Sequence, residues 1–235
     1  MKHIVSFSGG KDSTAMLLMM IEKGMQIDRV ICVDTSKEFP QMYEHIKKVQ
    51  AMIEPLKIET VKFDFNYYFS EHIKKKGKNK GKNGYGWPCF SMRWCTGEKK
   101  ECIRKYMKQF NNAEIVNYQG IAFDERTRTE KNNFLKYDVK YPLVDWKITE
   151  KQALDYCYSK GLDWGGLYEK FSRVSCWCCP LSRIGELRVL YNDFPQLWVE
   201  LEDMDKKSFR KFRSDYSLEQ LQRKFENENR RLKLF

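Results

Sequence analysis

The sequence predicts an α/β fold, with a doubly wound and mostly parallel sheet followed by a helical part that carries cysteines. Strand-like and helix-like segments alternate through about residue 120, a pattern that favours a parallel sheet with helices on both faces. After about residue 145 the pattern is helical and includes a Cys-Trp-Cys-Cys segment. We therefore expect two parts, residues 1–145 and residues 146–235.

The individual elements follow from short apolar runs and from helical spacing. Runs rich in apolar and β-branched residues predict four strands, at 2–7, 29–33, 58–65 and 114–119. Helical periodicity and start signals predict six helices, at 12–23, 40–53, 96–110, 149–159, 182–191 and 217–227. The second of these is the clearest, because Met42, Ile46, Val49 and Ile53 recur at helical spacing after Pro40.

Composition excludes several classes of protein. Of the 235 residues, 42% are hydrophobic and 14% aromatic, which is more than a disordered chain carries. Eight cysteines are too sparse here for a disulfide scaffold. The longest apolar run, 15–21, is far shorter than the about 20 residues of a membrane-spanning helix. The N-terminus lacks the apolar stretch of a signal peptide, so we expect a cytoplasmic protein with reduced thiols and no membrane partner.

The net charge of +11 is concentrated in two segments. Residues 74–86 contain six lysines and no acidic residue, and residues 206–235 contain ten basic and four acidic residues. The first segment is rich in Gly and Asn as well as Lys, which predicts a loop. Both segments suit contact with a phosphate backbone, so we expect a nucleic-acid partner, tRNA or DNA. Simple solvation of the surface is the alternative.

The sharpest motif follows the first predicted strand and opens the first predicted helix. It reads Ser8-Gly9-Gly10-Lys11-Asp12-Ser13-Thr14. Its two glycines allow a close backbone approach to a ligand, and the helix start and Lys11 both favour an anion. The spacing is neither GxxxxGK[ST] nor GxGxxG. We predict a phosphate loop, with an ordinary glycine turn capped by serine as the alternative.

This SGGKDS segment after an N-terminal strand resembles the loop of the PP-loop ATP pyrophosphatase superfamily, which is adenine nucleotide alpha hydrolase-like. The resemblance implies a HUP/Rossmann-like fold that binds ATP and Mg²⁺, with Lys11 and Asp12 as catalytic residues. It also implies that the loop holds the β,γ-phosphates while the α-phosphate is attacked, which yields an adenylated substrate and pyrophosphate. A helix N-terminus with a lysine suits this chemistry, since negative charge develops on the departing pyrophosphate.

Further segments resemble the phosphoadenylyl sulfate reductase branch of that superfamily. Residues 33–40, VDTSKEFP, are similar to its DTGxxFPE segment, with Ser36 in place of the usual glycine. Residues 120–128, GIAFDERTR, and 141–146, YPLVDW, resemble two further segments, and Gly166-Leu167-Tyr168 with the CWCC run resembles its ending. The resemblance implies that four further residues lie near the nucleotide: Asp34, Thr35, Arg126 and Arg128. In these families the basic residues around the first cysteines, here Arg93, Lys99 and Lys100, face the substrate anion.

Five cysteines lie in two clusters. Four of them, Cys89, Cys95, Cys176 and Cys179, suit a [4Fe–4S] cluster or a tetrahedral zinc ion, and spacing does not choose between the two. The resemblance favours iron–sulfur, because adenylyl sulfate reductases carry two cysteines and a distant CxxC, and DNA phosphorothioation sulfurtransferases combine SGGKDS with a cysteine-bound cluster. Cys178 is the spare cysteine of the second cluster and a candidate free thiol with a catalytic role, and a role as a ligand is the alternative. Burial in the core is the alternative for these cysteines and the preferred interpretation for Cys32, Cys102 and Cys157.

Three functions follow from these features. The first is ATP-dependent adenylation of a nucleic acid followed by sulfur insertion, with a cysteine desulfurase as a candidate sulfur donor. The second is reduction of adenylyl sulfate or phosphoadenylyl sulfate; it is less favoured because no Cys follows Cys179, where such reductases carry their nucleophile, and because SGGKDS is intact. The third is a non-catalytic nucleic-acid-binding module, against which the intact loop argues.

Overall fold

The computed structural model describes residues 1–75, 80–111, 114–132 and 137–232. Within them a five-stranded parallel sheet has the strand order β3-β2-β1-β4-β5. The strands are β1 (Lys2–Phe7), β2 (Arg29–Asp34), β3 (Ile58–Lys62), β4 (Ile115–Gln119) and β5 (Asp138–Lys140). The predicted α/β fold class, with a parallel sheet and C-terminal helices, is confirmed.

Nine α-helices, two 3₁₀ helices and one π-helix are present in the described residues. The α-helices are α1 (Lys11–Glu22), α2 (Pro40–Met52), α3 (Trp94–Met107), α4 (Pro142–Asp145), α5 (Glu150–Ser159), α6 (Leu167–Lys170), α7 (Ile184–Asp193), α8 (Pro195–Lys207) and α9 (Leu218–Leu232). A π-helix spans Tyr67–Glu71, and 3₁₀ helices span Phe123–Asn132 and Trp164–Gly166. The six predicted helices correspond to α1, α2, α3, α5, α7 and α9.

Four of these strands and α-helices, β5, α4, α6 and α8, were not predicted, and the third strand ends at Lys62 instead of continuing to residue 65. Strand β5 has three residues, lies at the sheet edge and has no fully buried position, so no alternation marks it in the sequence. Helix α8 buries only Trp198, Leu201 and Met204 among thirteen residues, many of them acidic.

The described chain consists of two compact units, each built from separate stretches of sequence. The first contains residues 1–34, 38–63 and 99–174, and the second contains 35–37, 64–98 and 175–235. The predicted boundary after residue 145 stays a prediction. Residues 76–79 of the basic loop and residues 233–235 of the basic tail lie outside the described residues.

The first unit contains the sheet, and its register brings the carboxyl ends of the central strands to one edge. Phe7 at the end of β1 lies opposite Cys32 of β2, and Ser6 lies opposite Gln119 of β4. Burial of apolar side chains on both sides of the sheet fixes this arrangement, and one cluster comprises Ile4, Ile31, Met107 and Ile115. Ligands of open parallel sheets bind at this edge. The carboxyl ends of β1, β2 and β4 therefore mark the candidate ligand-binding edge of the sheet.

The second unit is organised around aromatic side chains. Trp87 is almost completely buried, packs edge-on against Phe212 and donates its Nε1–H to Asp205 Oδ1 at 2.6 Å. Trp198 and Phe225 form a second edge-on pair at 5.9 Å. The contacts of Trp87 join the 64–98 stretch to the C-terminal part of the chain. The predicted cysteine ligands all belong to this one unit.

Candidate functional site

The loop between β1 and α1 depends on its first glycine. Gly9 has φ +75°, a conformation that favours glycine, and a Cβ built on it would lie 2.7 Å from Met42 Sδ. Gly10 follows with extended geometry as the N-cap of α1. The chain therefore turns directly from the buried strand into the helix, as the SGGKDS motif predicts.

Side chains of the loop itself hold this turn. Ser13 Oγ donates to the Gly10 carbonyl at 3.0 Å and accepts from the backbone N–H of Ser8 at 3.2 Å. The backbone N–H of Thr14 donates to the same Gly10 carbonyl at 3.0 Å. The first N–H of the helix, at Lys11, donates to Tyr168 Oη at 2.9 Å. The loop is thus pre-formed around the positive end of α1.

A buried aromatic pair supports the loop. Trp164 Nε1–H donates to the Gly9 carbonyl oxygen at 2.8 Å, and the His45 ring stacks on Trp164 with centroids 4.2 Å apart. His45 Nε2 lies 3.1 Å from Thr14 Oγ1. Burial lowers the pKa of His45 to about 4, so the ring is neutral at pH 7. The hydrogen bond between His45 and the Thr14 hydroxyl therefore joins two uncharged groups.

The charged side chains of the loop form a small network. Lys11 Nζ lies 2.5 Å from Glu150 Oε2 and 3.4 Å from Asp12 Oδ2, and Lys11 is 8% exposed. Burial lowers the pKa of Lys11, but the hydrogen bond that Lys11 donates to Glu150 and the charges of Asp12 and Glu150 outweigh this effect, so the pKa is raised overall. Lys11 is therefore a fixed positive charge next to the helix start.

Asp12 is the titratable carboxylate of this network. Burial raises its pKa to about 6; the Lys11 charge opposes the rise, and Glu150 and Glu125 add to it. Its Oδ1 atom is buried and has no hydrogen-bond partner among the residues that the structure describes. An oxygen in this position is suited to a divalent cation, because hard cations prefer carboxylate ligands.

The segment after β4 approaches the loop closely at one point. A Cβ on Gly120 would lie 2.7 Å from the Ser13 backbone nitrogen and Cα, so only glycine fits there without displacement. Arg126 and Arg128, predicted near the nucleotide, are exposed on the following 3₁₀ helix. Arg126 lies over the Phe123 ring at 4.8 Å and Arg128 pairs with Glu125. Their contact with a nucleotide stays a prediction.

A cavity of about 220 Å³ opens at the carboxyl ends of β1, β2 and β3. It is lined by Ser8 of the loop and by Asp34, Tyr43, Glu38 and Lys99, among mainly apolar neighbours. Tyr43 Oη donates to Asp34 Oδ1 at 2.9 Å, and Lys99 pairs with Glu38 at 3.2 Å. Two predicted site residues, Ser8 and Asp34, therefore face one cavity.

The next residues along the chain belong to the second unit. Thr35 is fully buried, and its Oγ1 lies 3.6 Å from Cys176 Sγ. The Lys37 carbonyl accepts the Trp177 N–H at 3.0 Å. Ser36 has φ +57°, which gives a conformational reason for the glycine usual at this position in the resembling families. Residues 35–37 are thus packed against the CWCC segment within the second unit.

The predicted ligand cysteines are not gathered into one site. Cys89 accepts a contact from Arg210 at 3.9 Å and lies 3.4 Å from Ser91 Oγ, while Cys176 neighbours Thr35. Throughout the part of the chain that the structure describes, no group of three or more His, Cys, Asp or Glu side chains is arranged to bind a metal ion. The side chains as placed therefore do not form a four-cysteine metal centre. The assignment of Cys89, Cys95, Cys176 and Cys179 as metal ligands stays a prediction.

Cys178, the predicted nucleophile, is only 1% exposed. A reactive thiol must be reached by its substrate, so this role would require the CWCC segment to open. Its catalytic assignment stays a prediction.

A model of the phosphoadenosine phosphosulfate reductase domain matches residues 2–182, about three quarters of the chain. The chain belongs to this family. Members of the phosphoadenosine phosphosulfate reductase domain family are generally enzymes. The match covers the phosphate loop, the cavity and all eight cysteines.

Two similar proteins extend the comparison. The uncharacterized protein MJ0066 of Methanocaldococcus jannaschii is 27% identical over 213 residues, which cover 86% of this chain and 41% of that protein. This chain therefore spans about two fifths of the length of that relative. Among solved structures, the U34-tRNA thiolase NcsA from Methanococcus maripaludis, with its [4Fe-4S] cluster, matches at a TM-score of 0.43 and 15% identity, covering 87% of this chain and 71% of that one.

Four residues of the site were not assigned a role from the sequence: His45, Glu150, Trp164 and Tyr168. Each contacts the loop from a position far along the chain. Only Tyr168 had a signal, since it lies in a segment that resembles the family ending. None of the helices in the described ranges is long and apolar enough to cross a membrane.

Proposed function

We propose that this protein is an ATP-dependent adenylating enzyme of the PP-loop type, and that it activates a nucleic acid for sulfur insertion. The observation that carries the proposal is the pre-formed loop from Ser8 to Thr14 at the start of α1, with the Lys11 ammonium beside it. Membership of the reductase domain family supports a sulfur-related substrate.

The loop and the cavity supply complementary parts of an ATP site. The positive end of α1 and Lys11 suit the β,γ-phosphates, and the adjoining cavity suits the adenosine portion, with Asp34 and Tyr43 as polar contacts. Asp12, with its unpartnered Oδ1, would hold the Mg²⁺ that accompanies the triphosphate and neutralises its charge. Arg126 and Arg128 are proposed as further phosphate contacts.

The proposed chemistry has two steps. An oxygen of the acceptor attacks the α-phosphorus of ATP, the bond between the α-phosphorus and the bridging oxygen breaks, and pyrophosphate leaves with that electron pair. Lys11 and the N–H groups of α1 stabilise the negative charge that develops on pyrophosphate. The acceptor then carries AMP, a good leaving group.

In the second step a persulfide sulfur attacks the activated carbon and AMP leaves with the acceptor oxygen. A second thiol attacks the remaining sulfur–sulfur bond, so a disulfide forms and one sulfur stays on the acceptor. A cysteine desulfurase is the class of partner that would supply the persulfide. Cys178 is proposed as the second thiol, on condition that its segment opens, and a cysteine-bound [4Fe–4S] cluster or zinc ion is kept as a separate proposal.

Pyrophosphate release from ATP tests the first step. We expect release to increase when tRNA or DNA is added, and Lys11→Ala to reduce it by at least about 100-fold, the scale of one lost charge-stabilising group. Lys151→Ala is the matched control, because Lys151 is an exposed lysine on α5 that pairs with Asp155. Equal activity of Lys11→Ala and the wild type would overturn the assignment.

The second candidate function is reduction of a sulfonucleotide, which the family match favours. It predicts sulfite formation from adenylyl sulfate or phosphoadenylyl sulfate with a thiol donor, and no pyrophosphate from ATP. A protein that binds nucleic acid and yields neither product would be a non-catalytic binding module. The three outcomes are distinguished in one set of assays.

A further inference from the structure

Large aromatic side chains are exposed on the second unit. Phe90 is 85% exposed and Phe209 is 51% exposed. Phe90 occupies the tip of a tight turn, which two backbone hydrogen bonds between Cys89 and Met92, of 3.3 and 3.0 Å, hold closed. A phenyl ring on a rigid turn loses little conformational freedom when it binds a flat partner.

Arg210 contacts both the Phe209 ring and the turn that carries Phe90. Its guanidinium carbon is 5.4 Å from the Phe209 ring centroid, and its two terminal nitrogens lie 3.9 Å from Cys89 Sγ and 3.7 Å from Met92 Sδ. The turn that presents Phe90 therefore contacts the same guanidinium that packs on Phe209. Aromatic rings and a cation are thus continuous on this surface.

Lys74 adds a second cation. It is 7% exposed, its Nζ lies 4.0 Å from the Phe209 ring centroid, and that Nζ is buried with no hydrogen-bond partner. Burial and the nearby charges of Arg210 and Lys82 lower the pKa of Lys74. In the described part of the chain neither Lys74 nor Arg210 pairs with a carboxylate, so the surface lacks a counter-ion.

We propose that this surface, defined by Lys74, Phe90, Phe209 and Arg210, binds single-stranded nucleic acid. A phosphate contacts Arg210, the buried ammonium of Lys74 next to Phe209 adds positive charge behind it, and an unpaired base stacks on the exposed ring of Phe90. The proposal deepens the proposed function, on which it rests, by assigning the acceptor class and its contact surface.

A single strand fits this surface better than a duplex. In a duplex the base faces are stacked on one another, and only the groove edges and phosphates are accessible. Exposed aromatic rings next to cations are the usual combination for unpaired bases and their backbone. An acidic protein would use the cations and leave Phe90 without a flat partner.

Fluorescence anisotropy of the full chain with labelled single-stranded RNA, single-stranded DNA and the matching duplex tests the proposal. We expect Phe90→Ala to weaken single-strand binding by about 10-fold, the scale of one lost stacking contact, and to leave duplex binding unchanged. Arg210→Gln should weaken binding and reduce the slope of log affinity against log salt by about 0.7, as one lost phosphate contact does. Tyr158→Ala is the matched control, because Tyr158 is a 38% exposed aromatic residue of the first unit.

The proposal is overturned if Phe90→Ala leaves the affinity for single strands unchanged, or lowers it no more than Tyr158→Ala does. It is also overturned if Phe90→Ala lowers the affinity for single strands and for the duplex equally. ATP cleavage by the unaltered protein is measured in parallel. Stacking on Phe90 without ATP cleavage supports the surface and contradicts the proposed function. ATP cleavage with unchanged binding by Phe90→Ala supports the function and contradicts the surface.

Discussion

The indole Nε1–H of Trp164 donates a hydrogen bond to the carbonyl oxygen of Gly9 at 2.8 Å. This contact fixes the most constrained residue of the phosphate loop, since Gly9 has φ +75° and no room for a Cβ. Trp164 is 1% exposed and also supports His45, which contacts Thr14. The position of the loop therefore depends on buried side chains that lie outside the loop sequence.

The first prediction concerns this hydrogen bond. Trp164→Phe keeps an aromatic ring but removes the indole donor and leaves the Gly9 carbonyl with the longer 3.5 Å hydrogen bond from Thr14 Oγ1, so we expect a loss of about 1–3 kcal/mol in the free energy of unfolding and weaker ATP binding. Trp198→Phe is the control, because Trp198 is equally buried and its Nε1 has no partner. Denaturant unfolding and ATP titration check the result, and equal effects of the two changes would contradict it.

The second prediction concerns His45. Its pKa is about 4 in the folded protein, below the ordinary value of 6.5, so the stability it contributes is complete above pH 6.5 and is lost as the pH falls towards 4. His45→Phe retains the ring against Trp164 and cannot titrate. The stability of this variant relative to the wild type should rise as the pH falls through that window, by on the order of 1–3 kcal/mol. A constant difference between pH 7 and pH 4.5 would show that His45 does not titrate as described.

The third prediction concerns Asp12, which acts in the opposite direction. Its folded pKa of about 6 exceeds the ordinary 3.8, so the native state binds the proton more tightly and stability decreases as the pH rises from 3.8 to 6. Asp12→Asn should therefore be more stable than the wild type at pH 7, and the difference should shrink in acid. Cleavage of ATP needs the carboxylate in our account, so wild-type activity should rise with pH around 6 and the variant should be inactive. A variant that is less stable at pH 7, or that is active, contradicts this role.

The fourth prediction concerns Gly120. Gly120→Ala places a methyl group 2.7 Å from the Ser13 backbone, so we expect a destabilisation of about 1–3 kcal/mol and impaired ATP binding. Gly185→Ala meets nothing within 4 Å and neither glycine has positive φ, which makes it the matched control. Comparable unfolding midpoints for the two variants would show that the close approach is not a constraint.

The fifth prediction concerns the cysteines. If they bind a metal centre, anaerobically purified protein should contain iron and sulfide, or stoichiometric zinc, and Cys176→Ser should remove it. Cys32→Ala should retain it, since Cys32 is a buried strand residue with a raised pKa. The segments that carry Cys89 and Cys176 do not form a metal site in this structure. Metal binding should therefore bring the two segments together and also raise the melting temperature. Wild-type protein without metal would remove the assignment.

The sequence predicted the fold well where a pattern is local. Helix α2 shows apolar spacing after Pro40, and α5 has a capping box between Thr149 and Gln152, so both were found from neighbouring residues. Strand β5 has two exposed residues around the half-buried Val139 and pairs with β4 at the sheet edge, so its existence depends on β4 and not on its own sequence.

The site shows the same division. The phosphate loop is one continuous motif and was predicted residue by residue, whereas its supports Trp164 and His45 reach it only after the chain has folded. The two clusters that contain Cys89 and Cys176 predict metal ligands, yet their spacing in sequence does not determine where the side chains lie in the folded protein. Single residues far apart in sequence become a site through packing, which no local pattern encodes.

The most direct test of the central claim is the product of ATP cleavage, measured with ATP labelled on the α-phosphate in the presence of single-stranded RNA or DNA. We predict AMP, or AMP attached to the acceptor, together with an equal amount of pyrophosphate, and loss of both in Lys11→Ala. ADP and inorganic phosphate, or no cleavage by a protein that does not bind ATP, would contradict it.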